Sequence, residues 1–268
     1  MTLPIYQVDA FTSRPFAGNP AAVCPIDGVG PVDAHWMQQV AAEMNLSETA
    51  FVQRQGEGFA LRWFTPTVEV DLCGHATLAT AHVLWETGRA RPGHDIVFHT
   101  RSGELGARME GGWIWLDFPA DPPQPVRAPD GLAAALGVEP LHVGRGRFDL
   151  LVELPTAQTV RELAPDLLAL GRLPVRGVIV TAAGDRDEGG EIDFVSRFFA
   201  PALGIPEDPV TGSAHCTLAP FWHERTGLHE MVGHQVSKRG GTVRVRSGRR
   251  VALGGQAVTV LTGELLAL

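Results

Sequence analysis

The sequence predicts an α+β fold of two pseudo-symmetric lobes, each a curved, mostly antiparallel sheet wrapped around a central helix. Three observations predict it. The segment Arg62-Trp63-Phe64-Thr65-Pro66 returns as Arg197-Phe198-Phe199-Ala200-Pro201. Each copy runs on to a glycine-led apolar stretch, Cys73-Gly74-His75-Ala76 in the first and Thr211-Gly212-Ser213-Ala214 in the second. SGELGARMEGG from Ser102 has a counterpart in GGTVRVRSGRR from Gly240, at the same offset that separates Gly74 from Gly212. That offset is about half the chain, too long for a solenoid repeat, and reads as a domain duplicated in tandem. Duplicated halves that face each other leave a cleft suited to a small molecule.

In the first half, strand patterns fall at Ile5 to Val8, Ala50 to Gln53, Ala60 to Phe64, Asp95 to His99 and Trp113 to Phe118. Asp33 is positioned to cap a helix through Met44 whose apolar face carries Trp36, Met37, Val40 and Ala41. The stretch after His75 is small and apolar nearly all round, the mark of a helix buried inside its own sheet. Its twin runs from Ala214 to Arg225, and Gly88 and Gly227 supply the stop signals. In the second half, strands are expected at Asp149 to Leu154, Gly177 to Thr181 and Ile192 to Phe199, with a short helix over Pro165 to Leu170. Five prolines between Pro119 and Asp130 oppose regular structure and mark a linker between lobes 1–120 and 130–268. The last strand, Ala257 to Leu261, is free to return to the first lobe. Strands and helices do not alternate regularly, so a doubly wound nucleotide fold fits poorly.

Composition narrows the function. Hydrophobic residues at 44% against 19% charged supply enough apolar material for two cores. A net charge of −8 argues against a nucleic-acid or anionic-membrane partner. The one basic stretch, Lys238 to Arg250, alternates with Val243, Val245 and Val251, as the solvated side of strands does. No apolar run reaches membrane-spanning length and the N-terminus lacks a signal-peptide pattern, so a cytoplasmic location is expected. Cys24, Cys73 and Cys216 are too scattered for a disulfide framework. His75 and His82 lie seven apart with no metal-ligand spacing around them, and no metal is expected.

The chemistry-bearing residues cluster at the two helix starts. Unpaired N–H groups at Gly74 and Gly212 suit a carboxylate. Imidazole at a helix start repels the helix dipole when protonated, so His75 is expected to be neutral. Ser213 reads either as a simple cap or as a site residue. From Pro66 to Cys73 is seven residues, but from Pro201 to Thr211 is ten, and the longer connection carries Glu207 and Asp208. These carboxylates read either as caps on the helix dipole or, for Asp208, as a group that orients substrate. Glu48, at the entrance of a strand, reads either as a loop residue or as a general base.

The stretches VDAFTSRPFAGNPAAV, MNLSETAFV, RWFTPTVEVDLCGHATLATAHVL and FVSRFFAPALGIPEDPVTGSAHC together resemble the phenazine-biosynthesis PhzF-like isomerase family across essentially the whole chain. The resemblance implies lobes of the diaminopimelate-epimerase type, a site between them, a homodimer, no cofactor and a small carboxylate-bearing substrate. It implies that Glu48 shuttles a proton, that His75, Asp208 and Ser213 line the site, and that Gly74 and Gly212 offer backbone donors. Cys73 and His215-Cys216 depart from the phenazine enzyme's pattern, which leaves the substrate open. A two-thiol epimerase of the same fold would use Cys73, but its second thiol position holds Thr211. A non-catalytic binding protein on the same scaffold is the third reading.

Overall fold

The computed structural model describes residues 2–28, 32–184 and 192–266. The chain forms two compact units, Met1–Asp117 with Gly254–Leu268, and Phe118–Leu253. The first unit is built from β1 (Leu3–Ala10), β2 (Asn19–Pro25), α1 (Ala34–Met44), β3 (Glu48–Gln55), β4 (Gly58–Phe64), β5 (Glu69–Val70), α2 (Gly74–Glu86), β6 (Ile96–Thr100), β7 (Gly103–Glu110) and β8 (Trp113–Pro119). The chain leaves this unit within β8. β1 and β2 pair antiparallel, β2 and β3 parallel, β3 and β4 antiparallel, β4 and β6 parallel, and β6, β7 and β8 antiparallel in turn.

The second unit contains β9 (Gln124–Pro125), α3 (Leu132–Leu136), β10 (His142–Arg145), β11 (Leu150–Glu153), α4 (Ala157–Glu162), α5 (Leu167–Leu170), β12 (Val178–Ala183), β13 (Phe194–Ala200), β14 (Ile205–Asp208), α6 (Gly212–Thr226), β15 (Glu230–Gln235), β16 (Gly241–Arg246) and β17 (Arg250–Gly255). Its pairings repeat the first plan step for step. β10 and β11 are antiparallel, β11 and β12 parallel, β12 and β13 antiparallel, β13 and β15 parallel, and β15 and β16 antiparallel. The chain returns to the first unit within β17 and ends in β18 (Ala257–Leu265).

β18 lies antiparallel to β1, with Leu3 opposite Leu265. β9 lies antiparallel to β10. Each unit therefore completes its sheet with the strand that follows the other half of the repeat. β2, β5, β7, β9, β10, β14 and β15 were not among the expected strands, nor were helices α3 and α4.

The first unit has apolar material on two sides of its sheet. On one, Met37, Val40 and Ala41 of α1 pack with Ile5, Ala22, Cys24, Phe51 and Phe64. Asp33 caps α1 by accepting from the His35 N–H, as the sequence predicts. Elsewhere α2 buries every residue from His75 to Ala81. Its two interior threonines, Thr77 and Thr80, donate to the carbonyls of Cys73 and Ala76 one turn back, which removes the cost of sealing hydroxyls in a core. At Gly255 a Cβ would lie 2.5 Å from the side chains of both Leu78 and Phe11, so any larger residue there would force one of them to move.

The twin helix α6 contains Pro220, which cannot donate to Cys216 one turn back. The freed Cys216 carbonyl instead accepts from the Asp121 N–H at 3.0 Å, and Thr217 donates to the Asp121 carboxylate at 3.1 Å. The proline-rich stretch is thus pinned to the helix it passes. Val243, Val245 and Val251 are buried while Arg249 and Arg250 are exposed, the arrangement expected of the basic segment.

Leu78 is fully buried on the α2 face that meets Gly255. Leu78→Ala is expected to lower the unfolding free energy by about 2–5 kcal/mol, read by urea denaturation.

Candidate functional site

The repeated Arg of the RWFTP and RFFAP motifs holds each helix approach in place. Arg62 meets Glu69 of β5 through two parallel hydrogen bonds of 2.7 and 2.8 Å. Arg197 meets Glu207 of β14 in the same way, at 2.7 and 3.0 Å. The hydrogen bond from Arg62 holds the Glu69 carboxyl below the usual carboxylate range. Glu207, one of the two carboxylates considered as a dipole cap for the second helix, is instead the anchor of its approach strand.

Glu48, Cys73, Gly74 and His75 come together in the first unit. Glu48 opens β3, which runs parallel to β2 with Glu48 opposite Ala21. Cys73 is the N-cap residue of α2 and makes no side-chain capping bond. His75, one residue into the helix, is buried. Its Nε2 lies 3.0 Å from Glu48 Oε2, and its Nδ1 lies 3.2 Å from Asn19 Nδ2 and 3.6 Å from Cys73 Sγ. Glu48 Oε2 and His75 Nε2 are both buried, yet neither has an aligned hydrogen bond. Their contact is close without the geometry of an aligned hydrogen bond.

The side chains around His75 work against the neutrality expected from its place at the helix start. Burial pushes its pKa down, while charge on Cys73 and on Glu48 pushes it up, and the balance lies well above 6.5. The Cys73 thiol is itself raised by burial and by Glu48, so it stays protonated near neutral pH. With the thiol neutral, Glu48 is the charge that favours the imidazolium, against burial and the helix dipole. Cys24 is buried and its thiol is pushed up to about 12, which makes it inert as a nucleophile.

Glu48, Cys73 and His75 also form the one group of potential metal-ligand atoms found among the described residues. The imidazole, however, turns Nδ1 toward the thiol and Nε2 toward the carboxylate. The set does not converge on one point, and we assign no ion to it.

Asp208, Thr211, Gly212 and Ser213 come together in the second unit. The Thr211 hydroxyl donates to the Asp208 carboxylate, and its N–H donates to Gln235 Oε1 at 2.9 Å. Gln235, fully buried, also donates to the Asp208 carbonyl at 2.8 Å. Ser213 Oγ accepts from Arg176 at 3.3 Å, and Arg176 is itself clamped by the buried Asp149. Cys216 donates to the Gly212 carbonyl at 3.6 Å within the helix. Sequence reasoning missed Asn19, Arg176 and Gln235. Only Asn19 carried a local signal, the Gly-Asn-Pro turn within FAGNPAAV.

The lobed α+β plan with a helix at each centre is that of the amino-acid epimerases. A hydroxyproline epimerase from Agrobacterium vitis matches 98% of this chain and 92% of its own at a TM-score of 0.63 with 12% identity, which shows the shared fold alone. The family model for phenazine biosynthesis-like proteins (PhzC-PhzF) matches residues 8–263, and this chain belongs to that family. An uncharacterized isomerase of Halalkalibacterium halodurans is 52% identical over 268 residues, covering 99% of both chains. A PhzF-family crystal structure from Enterococcus faecalis is 42% identical, covers all of both chains and has a TM-score of 0.94. No described helix is long and apolar enough to cross a membrane.

His215 gives a prediction about pH. Its Nδ1 lies 2.8 Å from the Thr211 carbonyl, and its Nε2 is sealed without a partner. Burial pushes its pKa down to about 4 from 6.5. Between those values the unfolded chain takes a proton that the folded protein refuses, so stability falls as pH drops through this window. The loss should reach about 3 kcal/mol by pH 4. In His215→Leu the difference in urea stability between pH 7 and pH 4.5 should shrink accordingly.

Proposed function

We propose that this protein is a cofactor-independent isomerase that moves a proton within a small carboxylate-bearing substrate, with Glu48 as the acid/base. The observation that carries this reading is the Glu48–His75 pair. Its two buried proton-bearing atoms stand 3.0 Å apart, and neither has an aligned hydrogen bond. A group in that state can accept a proton from a third party and return it. His75, 3.0 Å from the Glu48 carboxylate, holds it in place to act as base in this reading. The backbone N–H groups at the start of α2, from Gly74, suit the enolate-like charge that develops as the proton leaves. Asp208, Thr211, Gly212 and Ser213 bind and orient the substrate in this reading. Isomerase is also the name carried by relatives such as the one from Halalkalibacterium halodurans. A homodimer in the cytoplasm belongs to the same proposal.

The two-thiol epimerase is the weaker reading. Thr211 occupies the second thiol position and is engaged by Asp208 and Gln235. Cys216 sits a turn further into α6, bonded to its own helix.

The test is exchange of a substrate carbon hydrogen for deuterium in heavy water, followed by mass spectrometry over a panel of small cyclic and amino-acid-like carboxylic acids. Glu48→Gln keeps shape and removes the base, and should slow exchange by about 10²–10⁴-fold on any compound that the native protein turns over. Exchange retained within about tenfold would assign the base elsewhere.

A further inference from the structure

We propose that Asn19 is a positioning residue that sets the protonation state of His75, and that Ser47 lets it serve two states. The inference rests on the reading of Glu48 and His75 as the proton-handling pair. Gly18 has φ +65° and a Cβ there would lie 2.2 Å from the Ala10 carbonyl oxygen, so only glycine allows this entry into β2. The turn delivers Asn19, fully buried, to the imidazole. Asn19 Nδ2 is 3.2 Å from His75 Nδ1, and Ser47 Oγ donates to Asn19 Oδ1 at 3.3 Å. Ser47 immediately precedes Glu48, so one short network reaches both partners of the pair.

An amide nitrogen only donates. In this orientation Nδ1 must accept, and the imidazole proton sits on Nε2, facing Glu48. A doubly protonated ring needs an acceptor at Nδ1 instead. The Cys73 thiol, at 3.6 Å, is a weak acceptor. A half-turn of the Asn19 amide brings Oδ1 to Nδ1 in the same volume, and Nδ2 then donates to Ser47, whose hydroxyl accepts as readily as it donates. Asn19 thus has a bonded arrangement for the neutral ring and another for the imidazolium. The titratable groups facing His75 are Glu48 at Nε2 and Cys73 at Nδ1. Asn19 is the neutral group that mediates between them.

The test needs no substrate, so its outcome is independent of whether Glu48 proves to be the base. Ring-nitrogen shifts of ¹⁵N-histidine-labelled protein are followed against pH, with His75 assigned by its loss in His75→Gln. Asn19→Asp offers acceptors only, and should raise the His75 midpoint by about one unit or more. Ser47→Ala removes the second anchor of the amide, and should move the midpoint or the tautomer ratio by less. Unchanged His75 shifts and midpoint in both variants would overturn the proposal and leave Asn19 as a turn residue. If Asn19→Asp does not fold, Ser47→Ala decides alone, its unchanged titration overturning the proposal and a shift supporting it.

Discussion

A helix buried on every side has no solvent face on which to place its polar groups, and α2 and α6 live under that constraint. Their side chains must be small or shaped to the surrounding strands, as Ala76, Ala79 and Ala81 are in α2. Their hydroxyls must turn back to their own carbonyls, as those of Thr77 and Thr80 do, or find a partner outside, as Thr217 does in Asp121. The exception is the N-terminus, whose first N–H groups find no partner within the helix. Burying the helix therefore concentrates unspent polarity at one end, and the candidate chemistry of each unit gathers there.

The duplicated parts and the divergent parts do different work. The Arg62–Glu69 and Arg197–Glu207 pairs are the same device used twice, a fork of donors fixing the strand that leads to each helix. Beyond those anchors the two starts diverge. The first gathers titratable groups, Glu48, His75 and Cys73. The second gathers groups that hold one another in place, Asp208, Thr211 and Gln235, with Ser213 beside a guanidinium.

Much of this was legible from residues alone, because the signals were local. The cap at Asp33, the closing Gly88 and Gly227, the all-round apolar helices and the recurrent Arg motif each act within a few positions in the chain. What stayed hidden depended on distant partners. The surroundings of His75 include Glu48, which reaches it from β3, far away in sequence. Gln235 stitches Asp208 to Thr211 from β15, and nothing near it in sequence announces the role. Pro220 lies inside the expected second helix, and nothing nearby in sequence announces that Asp121 takes the carbonyl it frees. Glu207 reads as a cap until Arg197 is seen to hold it. The short strands β9 and β14 are fixed by their neighbours rather than by their own composition.

The exchange of terminal strands, β18 beside β1 and β9 beside β10, puts the sequence repeat and the folded unit out of step by one strand. The β1 edge that β18 covers stays bare until the whole of the second unit has been made. During synthesis the first unit carries an unpaired edge for the whole time the second is emerging, the situation in which growing chains are most exposed to wrong strand partners. The pairing that finally closes it spans almost the full chain, a contact of high order that belongs late in folding. Neither half of the duplication could have stood as it now stands before the two were joined.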